Sequence, residues 1–200
     1  MIVIGLCGTS GSGKGYICKK FSQFGVAFID TDRVYREGVL TDKACVDELT
    51  GFFGQGILEN GQVSKRLLAI AVFESEEAPK KLKRLNDITH KYIRIKTDEL
   101  VLKYEKEGYS AVLIDAPVLF ESGFDKMCQA TVCVTAPYEM KLSRIISRDG
   151  ITREKAIARI KTQIQDDELR KRCTYEIDNT DGTDLISQIK FILKDLGIEE

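Results

Sequence analysis

Residues 5–17 read GLCGTSGSGKGYI, and within them Gly8-x-x-x-x-Gly13-Lys14 has the residue types and spacing of a loop that cradles phosphate. Glycines at Gly8, Gly11, Gly13 and Gly15 let backbone N–H groups curl around phosphate oxygens at the start of a helix, and Lys14 adds a mobile positive charge for the β- and γ-phosphates. The position after the lysine commonly carries a Ser or Thr hydroxyl that helps hold Mg²⁺, and here it is Gly15. A cation held through waters and the nucleotide's own oxygens meets the same need, so ATP chemistry remains open to this loop.

Other polar residues fall where they could act on a phosphoryl group. Asp30 and Asp32, in IDTDR, close the apolar run VAFID. A carboxylate there can take the proton of an attacking hydroxyl or hold a metal-bound water, and it can equally cap a helix starting at Arg33. Asp115 finishes the run AVLID, where a charge at the end of a buried strand needs a partner and can serve a metal. Arg144 and Arg148 are four apart and so project from one helical face beside the turn RDG. They can close as a lid on the transferred phosphoryl oxygens, or form a solvated basic face. The single histidine, His90, lies in a helical pattern, and no Ser-His-Asp or metal-ligand arrangement can be built with it.

A strand-and-helix alternation has to position these groups. Short β-branched runs recur at 2–7, 26–30, 111–116, 130–136 and 175–178, the signature of strands covered on both faces, and helical patterns lie between them. That alternation predicts an α/β sheet with right-handed crossovers. Residues 34–108 exceed what one crossover helix needs and are expected to form an inserted helical region, in which Leu85, Ile88, Tyr92 and Ile95 share a helical spacing. A second helix-rich run, 137–172, holds a helix capped by Thr152 with Ile157, Ile160 and Ile164 as its buried stripe, and Leu185, Ile189, Ile192 and Leu196 make another stripe near the C-terminus.

The bulk numbers set limits on partners. In 200 residues, 30 Lys and Arg stand against 31 Asp and Glu, a net charge of -1, so no global field draws the chain to nucleic acid or to a membrane surface. The apolar runs are too short to span a bilayer and no charged leader opens the chain, which predicts a soluble, cytoplasmic protein. Cys7, Cys18, Cys45, Cys128, Cys133 and Cys173 are scattered singly, without a C-x-x-C pair, and are expected as small buried hydrophobes in a reducing compartment.

Taken in order, GTSGSGKG, FIDTDRVYREG, NGQVSKRLLAIAVFES, LNDITHKYI, LIDAPVLFESG, RIISRDGITREKAIARIKTQ and YEIDNTDG together resemble the dephospho-CoA kinases, over nearly the whole chain. The resemblance implies a three-layer P-loop kinase fold of the nucleoside-monophosphate-kinase kind, built on a five-stranded parallel sheet. It implies a core over 1–33, 109–136 and 174–200, a helical acceptor-binding region over 34–108 and a lid over 137–173. It also implies transfer of the γ-phosphoryl of ATP, with Mg²⁺, to the ribose 3′-hydroxyl of dephospho-CoA.

Under the same resemblance, the segment from Gly11 through Ser12, Gly13, Lys14 and Gly15 to Tyr16 cradles the ATP phosphates and Asn179 lies near the adenine. Asp30 is the base near the 3′-hydroxyl, Asp32 and Asp115 are acids that help with Mg²⁺ through water, Arg144 and Arg148 are the lid arginines, and Asp32 and His90 belong with the acceptor. The chain departs from the family pattern at Gly15, at Ser64-Lys65 where Asp-Arg is common, and at Lys91 where Pro commonly follows the histidine. These departures bear on metal binding and acceptor affinity. A P-loop kinase for another small acceptor, a nucleotide or a shikimate-like alcohol, remains an alternative, as does a nucleotide-binding regulatory protein that has lost catalysis. A GTPase is disfavoured, because no Asn-Lys-x-Asp segment occurs.

Overall fold

The computed structural model of the chain describes residues 1–74 and 76–198. Ser75, the end of the helical piece SKRLLAIAVFES, and Glu199 and Glu200, the end of the expected core, lie outside the described residues. In chain order the elements are β1 (Ile2–Cys7), α1 (Lys14–Ser22), β2 (Ala27–Asp30), a short α2 (Thr31–Arg33), a π-helical turn (Val34–Val39), α3 (Lys43–Phe53), β3 (Leu58–Glu59), β4 (Gln62–Val63), α4 (Lys65–Phe73) and α5 (Ala78–Lys106). Then come β5 (Ala111–Asp115), β6 (Ala130–Thr135), α6 (Tyr138–Asp149), α7 (Arg153–Lys161), α8 (Asp166–Arg172), β7 (Tyr175–Asp178) and α9 (Leu185–Asp195). The chain separates into two compact units, Met1–Ile29 with Lys103–Glu200, and Asp30–Leu102. Among the described residues no helix is long and apolar enough to cross a membrane.

The first unit is built on a five-stranded sheet of order β2-β5-β1-β6-β7, in which β1 runs parallel to β5 and β6, and β6 parallel to β7. Its strands are the apolar runs read from the sequence. Side chains alternate between faces, so Ile4 and Leu6 of β1 join Val132 and Val134 of β6 in a core closed by Ile17 and Phe21 of α1 and Ile189, Ile192 and Leu193 of α9. Burying each of these contributes about 1.5–3 kcal/mol. The opposite face of β1 is so close to its cover that a Cβ on Gly5 would lie 3.0 Å from Cys128 Sγ and from Leu119. Leu142 and Ile145 of α6 pack with Ala156 and Ile160 of α7 in a separate cluster. Thr152 caps α7 by accepting from the Lys155 N–H. Ile164 does not join that stripe, because α7 ends at Lys161.

The second unit is mainly helical, and in it β3 and β4 form a small antiparallel hairpin. Asn60 and Gly61 between them adopt φ of 52° and 77°, the paired left-handed residues of a tight hairpin turn. On α5 the buried residues are Ile88, Thr89, Ile93 and Thr97, whereas Ile95, which shares a helical spacing with Ile88, is exposed. Thr89 can be buried because its hydroxyl donates back to the Leu85 carbonyl at 2.8 Å.

Candidate active site

The loop between β1 and α1 is held in shape by contacts that leave no room for side chains. Gly11 has φ 81°, and a Cβ there would meet the Lys141 carbonyl oxygen of α6 at 2.5 Å. Gly13, at φ 94°, is the residue before α1, and a Cβ on it would run into the side-chain amide of Asn179. No side chain caps α1 and its first turn carries no acid. Its N-terminal N–H groups and dipole therefore face outward without a built-in anion, the arrangement that receives a phosphate. Lys14 rests its ammonium on the Gly8 carbonyl at 2.7 Å, on the inside of the loop.

Gly15 is different in kind. Nothing lies within 4 Å of where its Cβ would be, so the missing hydroxyl reflects residue choice and not crowding. Tyr16 follows it, half exposed, with the Lys20 ammonium 5.3 Å from its ring.

Two of the expected site residues meet the loop from the other side. The buried Asn179 side chain donates to the Ser12 carbonyl at 2.7 Å. Arg144 spreads its guanidinium over the Gly11 and Ser12 carbonyls, each at 3.4 Å, and over the Asn179 carbonyl and the Asp181 carboxylate, each at 3.2 Å. Gly13, Tyr16, Arg144, Asn179 and Thr180 border a cavity of about 430 Å³. The Tyr16 ring and the planar Arg144 guanidinium on its lining can take the face of a nucleobase. A second cavity, of about 190 Å³, opens at Cys7, Gly8 and Thr9 and is walled by Phe120 and Gln163.

Arg148, although on the same helix face as Arg144, is turned to its neighbour. It makes a two-pronged bond to Asp149, at 2.7 and 2.9 Å, and Arg159 bonds the same carboxylate. Arg148, and behind it Arg159, hold the Asp149 carboxyl down at about 2. This charge cluster closes the RDG turn.

The acids sit at strand ends. Asp115 is the last residue of β5, in register with Leu6, two residues before Gly8. Asp30 is the last residue of β2, and its carboxylate accepts from the Arg33 N–H at 2.9 Å, so it caps α2, where Asp32 lies exposed. His90 is half buried on α5; desolvation lowers its pKa against the pull of Asp87, leaving the ring neutral at neutral pH. Nearby on the same unit, Glu48 gathers Lys91 at 2.6 Å, the Tyr92 hydroxyl at 3.1 Å and Arg84 at 3.4 Å. Lys91, where the chain departs from the family pattern, is therefore ion-paired. Among the described residues no group of three or more His, Cys, Asp or Glu side chains is placed to hold a metal ion.

Sequence reasoning overlooked a polar network at the base of the loop. Thr9, Lys141 and Asp166 bond one another, and Gln163 accepts from the Ser10 N–H at 2.8 Å. No local spacing relates residues 9, 141 and 166, so no motif could have found them. The cysteines also depart from their scattered appearance. Cys7 and Cys133 are register partners on β1 and β6, and Cys173, at the end of α8, lies 3.4 Å from Cys7. The bond to Cys133 pulls the Cys173 thiol down, but its contact with Cys7 and burial together carry it up to about 12, so the Cys173 thiol stays protonated near neutral pH.

The dephospho-CoA kinase family profile matches residues 2–184. A dephospho-CoA kinase of Dehalococcoides mccartyi is 34% identical over 180 residues, covering 90% of this chain and 89% of that protein. A solved protein of Thermus thermophilus superposes with a TM-score of 0.76 at 29% identity, covering 98% of this chain and 97% of its own. The solved dephospho-CoA kinase of Campylobacter jejuni shares the fold, with a TM-score of 0.67, 24% identity and coverage of 97% and 96%. A five-stranded α/β P-loop architecture, a loop shaped for phosphate and a match along nearly the whole length lead to one assignment: the chain belongs to the dephospho-CoA kinase family.

Proposed function

We propose that this protein transfers the γ-phosphoryl group of ATP to the ribose 3′-hydroxyl of dephospho-CoA, giving CoA and ADP. The observation that carries the reading is the loop itself, with Gly11 packed on Lys141 and Gly13 on Asn179 too tightly for any other residue, leading into the uncapped start of α1. Membership of the family supplies the acceptor. The rival acceptors, a nucleotide or a shikimate-like alcohol, and a regulatory protein without catalysis, have no comparable support.

In this reading the phosphates settle on Gly8 and on the run from Gly11 to Tyr16, and the Lys14 ammonium moves from the Gly8 carbonyl to the β- and γ-phosphates. The adenine occupies the cavity beside Arg144 and Asn179. Asp30 takes the proton of the 3′-hydroxyl as the new O–P bond forms, the bond from the γ-phosphorus to the bridging oxygen breaks, and ADP leaves. Arg148 offsets the charge on the transferred oxygens, while Arg144, expected beside it there, holds the loop and the wall of the adenine cavity. Asp32, at the end of core segment 1–33, and His90, in region 34–108, serve the acceptor, and 137–173 serves as lid.

Mg²⁺ fits the site as a cation held mainly by the nucleotide. The open space at Gly15 leaves room for water in its shell, with Asp115 and Asp32 as the acids that would reach it through water. When bound it neutralises charge on the β- and γ-phosphates. A coupled ADP-release assay with dephospho-CoA, AMP, shikimate and no acceptor tests the reading: turnover should depend on dephospho-CoA, and equal or greater turnover with AMP or shikimate would overturn it.

A further inference from the structure

Thr9, Lys141 and Asp166 form a closed triangle of hydrogen bonds under the phosphate loop. The Lys141 ammonium donates to Asp166 Oδ2 at 2.7 Å and to Thr9 Oγ1 at 3.2 Å, and the Thr9 hydroxyl donates to Asp166 Oδ1 at 3.0 Å. The ion pair is buried, with side-chain exposures of 6% for Lys141 and 14% for Asp166, and Thr9 is 3% exposed. Each corner comes from a different element: the loop, α6 and the first residue of α8.

Burying an ammonium and a carboxylate costs several kcal/mol each, which their attraction roughly offsets, so such a pair adds little net stability. Its consequence is directional. Because the Thr9 hydroxyl both donates and accepts, its side chain is fixed in one rotamer. The Thr9 carbonyl accepts the Ser12 N–H at 3.1 Å, the bond that closes the turn of the loop. Lys141 also presses its backbone carbonyl on Gly11, and Arg144, one turn further along α6, reaches the Gly11 and Ser12 carbonyls. One face of α6 therefore holds both ends of the turn. Lys141 has its charge matched by Asp166 and does not compete with Lys14 for phosphate.

We propose that Lys141 and Asp166 are positioning residues that act through Thr9 to hold the loop in its phosphate-binding shape. This inference rests on the kinase reading above.

The test is a double-variant cycle read by thermal unfolding and by calorimetric binding of a non-hydrolysable ATP analogue. Lys141→Met alone leaves a buried carboxylate unpaired and should lower both stability and nucleotide affinity. Lys141→Met with Asp166→Leu removes both charges and should recover most of the lost stability, while the affinity stays reduced by about tenfold, the effect of losing a buried hydrogen-bonding anchor. Thr9→Val keeps the ion pair and the residue's shape; it should weaken binding in the same direction, and Thr9→Ser should restore it. Parental affinity in both the double variant and Thr9→Val would overturn the brace. A parent protein that fails to bind the analogue would overturn the kinase reading and the brace with it.

Discussion

The side-chain amide of Asn179 donates to the Ser12 carbonyl at 2.7 Å and occupies the space into which a Cβ on Gly13 would project. The loop and the wall of the cavity beside it thus share one contact, and the loop cannot change at residue 13 without moving residue 179. Gly13→Ala must adopt φ near 94°, which costs about 1–2 kcal/mol, and must also displace that amide. Misplacing phosphate ligands by about 1 Å is enough for a hundredfold loss. Steady-state kinetics should therefore show kcat/KM for ATP falling about a hundredfold or more. Asn179→Ala, which relieves the crowding but unties the loop, should show a milder rise in ATP KM.

Gly15 makes the opposite case, since its Cβ would meet nothing within 4 Å. Gly15→Ser should fold normally and offer the hydroxyl that P-loops use at this position. Titrating Mg²⁺ at fixed ATP, the concentration giving half-maximal rate should be lower for the variant than for the parent. An unchanged requirement would mean that the added hydroxyl does not reach the cation.

Arg144 and Arg148 should separate in kinetics although they share a helix face. Arg144 bonds the loop and the Asn179 carbonyl in the cavity wall, so, with the adenine proposed there, Arg144→Ala should raise the ATP KM by about tenfold or more. Arg148→Ala should lower kcat more than it weakens ATP binding, because Arg148 bonds Asp149 and makes no contact of this kind with the loop. The Asp149 cluster also has a pH signature. A carboxyl held at about 2 when folded, against about 4 when unfolded, contributes stability above pH 4 that is lost as the pH falls from 4 towards 2. Thermal unfolding of the parent should decline more steeply across that window than that of Asp149→Asn.

Asp30→Asn tests the base. Asparagine keeps an oxygen for the Arg33 N–H, so the cap on α2 survives and unfolding should be unaffected. A positioned general base supplies about a hundred- to ten-thousandfold, and kcat with dephospho-CoA should fall by a factor in that range with ATP affinity nearly unchanged. Retention of most of the kcat would assign Asp30 to capping alone.

Much of this was legible in the chain. The five strands appear where continuous β-branched runs stand, because strands buried on both faces must be apolar throughout. Gly8 to Lys14 could be read because the phosphate-binding turn is local. The hairpin at 58–63 was also local, signalled by Asn60-Gly61, yet its two-residue strands were too short to show alternation. Apolar spacing alone does not mark the buried face of α5, because two of its members, Thr89 and Thr97, are polar by type. Thr9, Lys141 and Asp166 were out of reach, since a lysine becomes interior here only through an aspartate 25 residues later and a threonine 132 residues earlier.

The central claim is tested most directly by the chemical identity of the product. The protein should be incubated with ATP, Mg²⁺ and dephospho-CoA, and the acceptor recovered for mass measurement and phosphorus NMR. One phosphate should be gained per ADP formed, as a monoester on the ribose 3′-oxygen. ADP release with the acceptor recovered unchanged, or a phosphate on any other oxygen, would contradict the account.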